Sequence, residues 1–263
     1  MEKIIHEKNI EQWSSVAEKY HDIRLTPPTV IVKIILSWLK REPDVVVDIG
    51  CGTGLSTIIW NDFAKNIIGI EPNADMRMVA ERKAGSDRII YKDGLSNQTN
   101  LPSDYADVIT VSQAFHWMDI DSSLLEFYKV LKPGGVLAIF DADHTPIIDW
   151  EIEKAFYELR SKCSEIVYSQ ESPPVHNDKS TYNERIKAFG KFRYSRAIEC
   201  HSVNIWNRQR ITASLIQQAN GDFAIKIDAS IKKYVDDFWT LVESKCGDAV
   251  EIINPYKIVL AVK

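Results

Sequence analysis

Three glycines at alternate positions, Gly50, Gly52 and Gly54, follow an apolar run that ends in an acid, Val45-Val46-Val47-Asp48-Ile49. Such glycines mark a sharp turn where backbone comes close to a ligand, since a side chain there would hold it off. Asp48 sets a carboxylate just before the turn, which suits an ammonium or sulfonium group better than a pyrophosphate. The spacing is G-x-G-x-G, not the G-x-G-x-x-G of dinucleotide folds, and no Gly-Lys-Ser/Thr follows as in a P-loop. Two more acids end later apolar runs. Glu71 lies a little over twenty residues beyond Asp48, where a nucleotide-binding α/β unit puts the acid that accepts both ribose hydroxyls. Asp93 can accept the amino group of an adenine, or serve as the turn residue of Asp93-Gly94.

Elements that would position these residues can be read from periodicity. Residues 45–49 predict a strand buried on both faces, because the run does not alternate, and 55–65 a helix after it. Strands are expected at 67–70, 88–91, 106–111 and 136–140, with a helix that Pro72-Asn73 starts and that runs to about Lys83, and another at 122–131 stopped by Pro133-Gly134-Gly135. Alternating strands and helices predict a parallel sheet covered on both faces, whose carboxyl edge gathers Asp48, Glu71, Asp93 and residues 113–117. Upstream, Trp13, Val16, Ala17 and Tyr20 keep helical spacing, and 30–40 predicts a mostly buried helix. Downstream, helices are expected at 150–168 and 181–189, a strand at 194–205, helices at 208–218 and 227–242, and a last strand or hairpin at 251–262, interrupted by Asn254-Pro255. The expected organisation is N-terminal helices over 1–41, a ligand-binding core over 42–145, a helical insertion or lid over 146–190, and the last strands and helices of the core over 191–263.

The whole chain sets bounds. Its 263 residues, 45% hydrophobic and 26% charged, are those of a soluble globular protein. A net charge of −5 argues against a nucleic-acid backbone as partner. No apolar run is long enough to span a bilayer, and Met1 to Glu7 carries no apolar stretch of signal-peptide type. Cys51, Cys163, Cys200 and Cys246 stand far apart with no C-x-x-C pair, which argues against a zinc site. A cytoplasmic protein, monomer or homodimer, without metal is expected.

The stretches Val-Asp-Ile-Gly-Cys-Gly-Thr-Gly (47–54), Gly-Ile-Glu-Pro-Asn (69–73), Ser-Gln-Ala-Phe-His-Trp-Met (112–118) and Leu-Lys-Pro-Gly-Gly-Val-Leu (131–137) resemble class I S-adenosylmethionine (AdoMet)-dependent methyltransferases. Within these they are most similar to the type 11 small-molecule group that includes trans-aconitate methyltransferases. The resemblance covers about residues 10–141 and implies a Rossmann-like α/β fold with a seven-stranded, mostly parallel sheet. It implies that Gly50, Cys51, Gly52, Thr53 and Gly54 let backbone approach the methionine part of AdoMet, with Asp48 near its ammonium. Glu71 and Pro72 would lie at the ribose. Asn73, Met76, Asp93, Gly94 and Leu95 would lie at the adenine, and Gln113 and Ala114 near the sulfonium. Tyr20 and Arg24 match a Tyr-x-x-x-Arg pair that closes such sites, although the proline that usually follows the arginine is displaced by Leu25-Thr26.

On the acceptor side stand His116, Trp117 and His144. An imidazole changes protonation near neutral pH, so His116 is the candidate base for a hydroxyl acceptor. It also suits a hydrogen-bonded pocket residue. A carboxylate acceptor needs no base. Tyr157, Tyr168 and Tyr182 can line the acceptor pocket or serve as lid core. Three rival readings stand beside methyl transfer to a small acid or hydroxyl compound. One is an AdoMet-binding protein without turnover; another is a nicotinamide-dependent oxidoreductase, weakened by the glycine spacing; the third is a methyltransferase for RNA or protein, against which the acidic balance counts.

Overall fold

A computed structural model of the chain describes residues 17–143, 145–170 and 175–263. Trp13, Val16 and His144 lie outside them. Strand β1 (Val45–Ile49) is buried at every residue, as a β-branched run without polar alternation requires. β2 (Asn66–Ile70) pairs with it in parallel, and β3 (Ile89–Lys92) follows beside β2. On the other side lie β4 (Ala106–Ser112) and β5 (Leu131–Ala142), also parallel. With β6 (Tyr194–Trp206) and β7 (Val250–Val262) they form one seven-stranded sheet in the order β3-β2-β1-β4-β5-β7-β6. β7 runs against β5. Gly134 donates its N–H to Lys263 O at one end, and Asp143 donates to Pro255 O at the other. The strand order reverses between β1 and β4, the switch point where an open parallel sheet leaves a crevice at its carboxyl edge.

Helices α1 (Ala17–Ile23), α2 (Thr29–Leu39), α3 (Ala74–Lys83) and α4 (Ile120–Val130) accompany these strands. The largest core cluster joins Val47, Ile49, Val111 and Ile139 of the sheet to Phe115, Leu124 and Phe127. At its other end the sheet is tied by Asp107, whose buried carboxylate accepts the N–H groups of Asp44 and Val45 and pairs with Arg41 and Lys132.

The backbone divides into two compact units. One comprises described residues up to Asp141, Val175–Cys200 and Lys257–Lys263, and the other Ala142–Pro174 and His201–Tyr256. These boundaries cut across the expected 146–190 insertion, because its second helix, α6 (Tyr182–Phe189), buries Tyr182 and Ile186 in the main core. The second unit holds α5 (Trp150–Tyr168), α7 (Arg208–Gln218), α8 (Gly221–Ile227) and α9 (Lys232–Lys245). Ile152, Phe156, Leu159 and Cys163 are its buried stripe on α5, and Phe156 meets Phe238 of α9.

Four local expectations change. Residues 55–65 do not form an α-helix; they wind tightly through a 3-10 turn at Ile58–Trp60. Ser56 and Thr57, consecutive residues, both reach Asp48, which pins the coil more tightly than 3.6 residues per turn allows. Leu131 begins β5 instead of ending a helix, since Lys132 precedes Pro133 and is held out of the helical region. The 227–242 pattern breaks at Asp228, whose side chain caps Ser230 and starts a new turn. Asn254-Pro255 does not interrupt β7.

Candidate functional site

The glycine turn at the end of β1 holds all three glycines at positive φ, +68° at Gly50, +56° at Gly52 and +85° at Gly54. A methyl added at Gly50 would lie 2.7 Å from Ala114 Cβ and 2.9 Å from Met118 Cε. The β1 turn and the loop after β4 therefore touch only because Gly50 has no side chain. At Gly54 the methyl would run into the hydroxyl of Tyr91. At Gly52 it would meet nothing within 4 Å, so this backbone lies open to a ligand.

Asp48 anchors the turn from beneath. Its Oδ2 accepts the hydroxyls of Ser56 and Thr57, each at 2.7 Å, and its Oδ1 that of Thr110 at 2.8 Å. Burial pushes its pKa up, and the three hydroxyls pull it back. This carboxylate has no exposed surface. Its place is structural, because three donors from two segments converge on it.

Glu71 at the end of β2 is 9% exposed. Its Oε2 accepts Gly52 N–H at 3.0 Å and its Oε1 accepts Asn73 N–H at 2.9 Å. Each oxygen keeps an acceptor site for a hydroxyl. Burial raises its pKa, against the two N–H bonds and the nearby Arg77 guanidinium. Pro72 follows, and Asn73 caps α3 through Met76 N–H at 3.0 Å. Met76 lies on the buried face of α3. It is 4% exposed and packs with Ala17, Tyr20 and Val79, because α3 buries this face against α1. Asp93 is paired with Arg77 at 2.9 Å, and Arg77 also donates to Glu71 O at 2.6 Å. One Asp93 oxygen thus serves to hold the loop. Gly94 is buried against Ile70, and Leu95 is 40% exposed beside it.

The loop after β4 begins with Gln113 at φ +54°, a conformation that costs a non-glycine residue about 1–2 kcal/mol. Its side chain accepts Lys179 Nζ at 3.0 Å, and Lys179 pairs with the buried Asp141 at 2.8 Å. Burial raises the Asp141 pKa, and Lys179 opposes it. Ala114 follows, then the turn Phe115–Trp117. His116 and Trp117 are half-buried, with ring centroids 4.8 Å apart, and His176 stands edge-on to both at 6.2 and 5.9 Å. Asn177 closes the loop, its N–H donating to His116 O at 2.8 Å and its amide to Met118 O at 2.8 Å. Tyr182 is core, edge-on to Phe115 at 4.9 Å. Tyr157 and Tyr168 belong to the second unit and are exposed.

Directly after α1, Arg24 stacks over the Tyr20 ring at 4.9 Å, as the four-residue spacing predicts. His21, between them, is hydrogen-bonded to the Thr53 backbone, which brings α1 to the glycine turn. Ion pairs Glu18–Arg82 and Asp22–Lys83 hold α1 to α3.

Sequence reading missed His21, Asp141, His176, Asn177 and Lys179. Asp141 carried a usable signal, an acid at the end of a strand like Asp48 and Glu71. Lys179 carried none, for its partners are 38 and 66 residues away.

The residues present fit a nucleoside carrying an amino-acid tail. Gly52 offers bare backbone, Glu71 offers paired acceptors, and the buried hydroxyl of the adjacent Thr53 has no partner, nor has the buried Arg24 Nε. Comparisons point the same way. Residues 47–139 match the family model for the methyltransferase domain. A Dictyostelium discoideum protein described as a methyltransferase is 30% identical over 130 residues, 49% of this chain and 48% of that protein. The malonyl-(acyl-carrier protein) O-methyltransferase of Pectobacterium atrosepticum is 31% identical over 94 residues, 35% of this chain and 36% of that enzyme. The chain thus spans about half the length of the curated relatives it matches, or less. A solved structure from Anaeromyxobacter dehalogenans, described as a type II methyltransferase, superposes with a TM-score of 0.68 at 18% identity, covering 91% of this chain and 97% of that one. At that identity the likeness speaks for the fold. Residues 47–139, which span most of β1 to β5 and the glycine turn, are thus similar to the methyltransferase domain, on a fold shared with that structure.

Proposed function

We propose that the chain transfers a methyl group from AdoMet to a small-molecule acceptor, a carboxylic acid or a hydroxyl compound. The observation that carries this reading is Glu71. Its carboxylate is strapped between Gly52 N–H and Asn73 N–H, next to the bare backbone of Gly52, with one acceptor site left on each oxygen. A ribose diol takes two such acceptors at once. Bound AdoMet supplies a methyl group already activated on a positive sulfur.

The chain's own work is then to hold and to orient. Gly52 and Thr53 would take the amino-acid end, with Arg24 toward its carboxylate, and the loop 113–117 would border the reacting side. His116 would take the proton of a hydroxyl acceptor, with Trp117 and His176 as neighbours that limit water. The four cysteines are free, and no helix among the described residues is long and apolar enough to cross a membrane; a cytoplasmic enzyme acting on a soluble acceptor accords with both.

Calorimetric titration with AdoMet, S-adenosylhomocysteine and NADH tests the reading, using wild type and Glu71→Gln. The substituted amide would turn an N–H donor toward Gly52 or Asn73 N–H. Binding of both adenosyl ligands, no binding of NADH, and a loss of about tenfold or more in the variant, about 1.4 kcal/mol, is the expected result. NADH binding alone would sink the proposal.

A further inference from the structure

Helix α5 has two unlike faces. Ile152, Phe156, Leu159 and Cys163 point into the second unit. On the opposite side Trp150, Tyr157, Ser161 and Tyr168 fall within about 40° of one another, at 100° per residue. The three aromatic side chains of this stripe are 70%, 54% and 43% exposed. Such residues aligned on one outer stripe mark a contact surface, where single scattered ones would not. The charges beside the stripe say what fits it. Lys154, Glu158, Lys162 and Glu165 run along one flank with alternating sign, and all four are exposed. Lys154 reaches Glu158 at 4.0 Å, and Lys162 lies over the Tyr234 ring of α9 at 4.5 Å, which adds another partly exposed ring to the surface.

We infer that two copies of the chain associate through this face, α5 against α5 and antiparallel. In a parallel pair each charge would meet its like. In an antiparallel pair with a two-fold axis at the level of Leu159–Arg160, the flank meets the same flank reversed. Lys154 then faces Glu165 of the second copy, and Glu158 faces Lys162 of the second copy. Trp150 meets Tyr168, and the small Ser161 leaves room for Tyr157. Every charge on the flank finds its opposite while the aromatic stripe is covered. A lipid surface is the poorer occupant, because two lysines and two glutamates give this flank no net attraction to anionic headgroups. The 19 residues of α5 extend about 28 Å, which suits a contact at the small end of specific interfaces and a dimer Kd in the micromolar range.

Sedimentation equilibrium on the whole chain tests the inference. Wild type is expected to pass from the mass of one chain to that of two between about 1 and 100 µM. Lys154→Glu or Glu165→Lys alone sets like charges against each other at both ends of the pair and is expected to raise the dimer Kd about tenfold. Both side chains are exposed and the pair within the helix is worth little, so melting temperature should hardly move. The two changes together restore opposite signs across the axis, and the Kd is expected to return to within about threefold of wild type. A change that merely weakened the helix would not be rescued by the second. A chain that keeps single mass up to about 100 µM overturns the inference, and co-flotation of that single chain with phosphatidylcholine vesicles would assign the stripe to lipid instead. A dimer that neither single variant weakens, or that the combined variant fails to restore, overturns it as well.

Discussion

Gly54 offers a sharp test of how the turn is built. It has φ +85°, and a Cβ there would collide with the Tyr91 hydroxyl, lie 3.0 Å from Tyr91 Cζ and 3.3 Å from Ala80 Cβ. Gly54→Ala therefore incurs two separable costs. The backbone cost of a left-handed alanine is about 1–2 kcal/mol. The overpacking cost is about 1–3 kcal/mol, and it falls mainly on one atom, the phenol oxygen. Tyr91→Phe removes that atom and leaves the ring in place against Gly69. Urea unfolding of wild type, both single variants and the double variant gives the coupling. Gly54→Ala is expected to cost about 2–5 kcal/mol beside Tyr91 and about 1–2 kcal/mol less in the Tyr91→Phe background. In melting temperature each kcal/mol corresponds to about 2–4 °C for a chain of this size. An equal cost of Gly54→Ala in both backgrounds would refute the collision and leave only the backbone conformation as the reason for glycine.

Two carboxylates predict pH effects of opposite sign. At Asp107, burial is outweighed by Val45 N–H, Lys132 and Arg41, and its pKa is lowered. Its contribution is present above the unfolded carboxylate pKa and disappears as pH falls through the lowered value. Asp107→Asn should cost about 1–3 kcal/mol at pH 7, since Arg41 and Lys132 stay partly in solvent when the carboxylate goes, and the difference from wild type should shrink in acid unfolding curves. At Asp48 burial raises the pKa, so its stabilisation is present in acid and falls away as pH rises through the raised value. Asp48→Asn can still accept the Ser56 and Thr57 hydroxyls and donate to Thr110, so it should gain on wild type as pH rises. Its S-adenosylhomocysteine affinity should stay within a few fold; Asp48→Ala, which strands three hydroxyls, should unfold markedly earlier. A large affinity loss in Asp48→Asn without loss of stability would restore the direct ammonium contact.

Asp48 shows where sequence reading was right and where it stopped. Its place was legible, because a non-alternating apolar run ending in an acid and three spaced glycines constrain strand, turn and edge together. The parallel order of β1 to β5 follows from the same local signals, repeated. Its direction was not legible. An acid before a glycine turn reads equally as a ligand contact or as a peg, and the choice lay with Thr110, 62 residues away. At Met76 helical spacing gave the buried face but not that α1 would cover it. Gln113 is the more instructive case. Nothing in Ser-Gln-Ala-Phe marks a left-handed residue; the Gln113 N–H is held by Phe140 O on the next strand and its side chain by a lysine 66 residues on. Local chemistry therefore lays down the parts of this site in sequence, while its shape is decided by pairs of residues that only the folded sheet edge brings together.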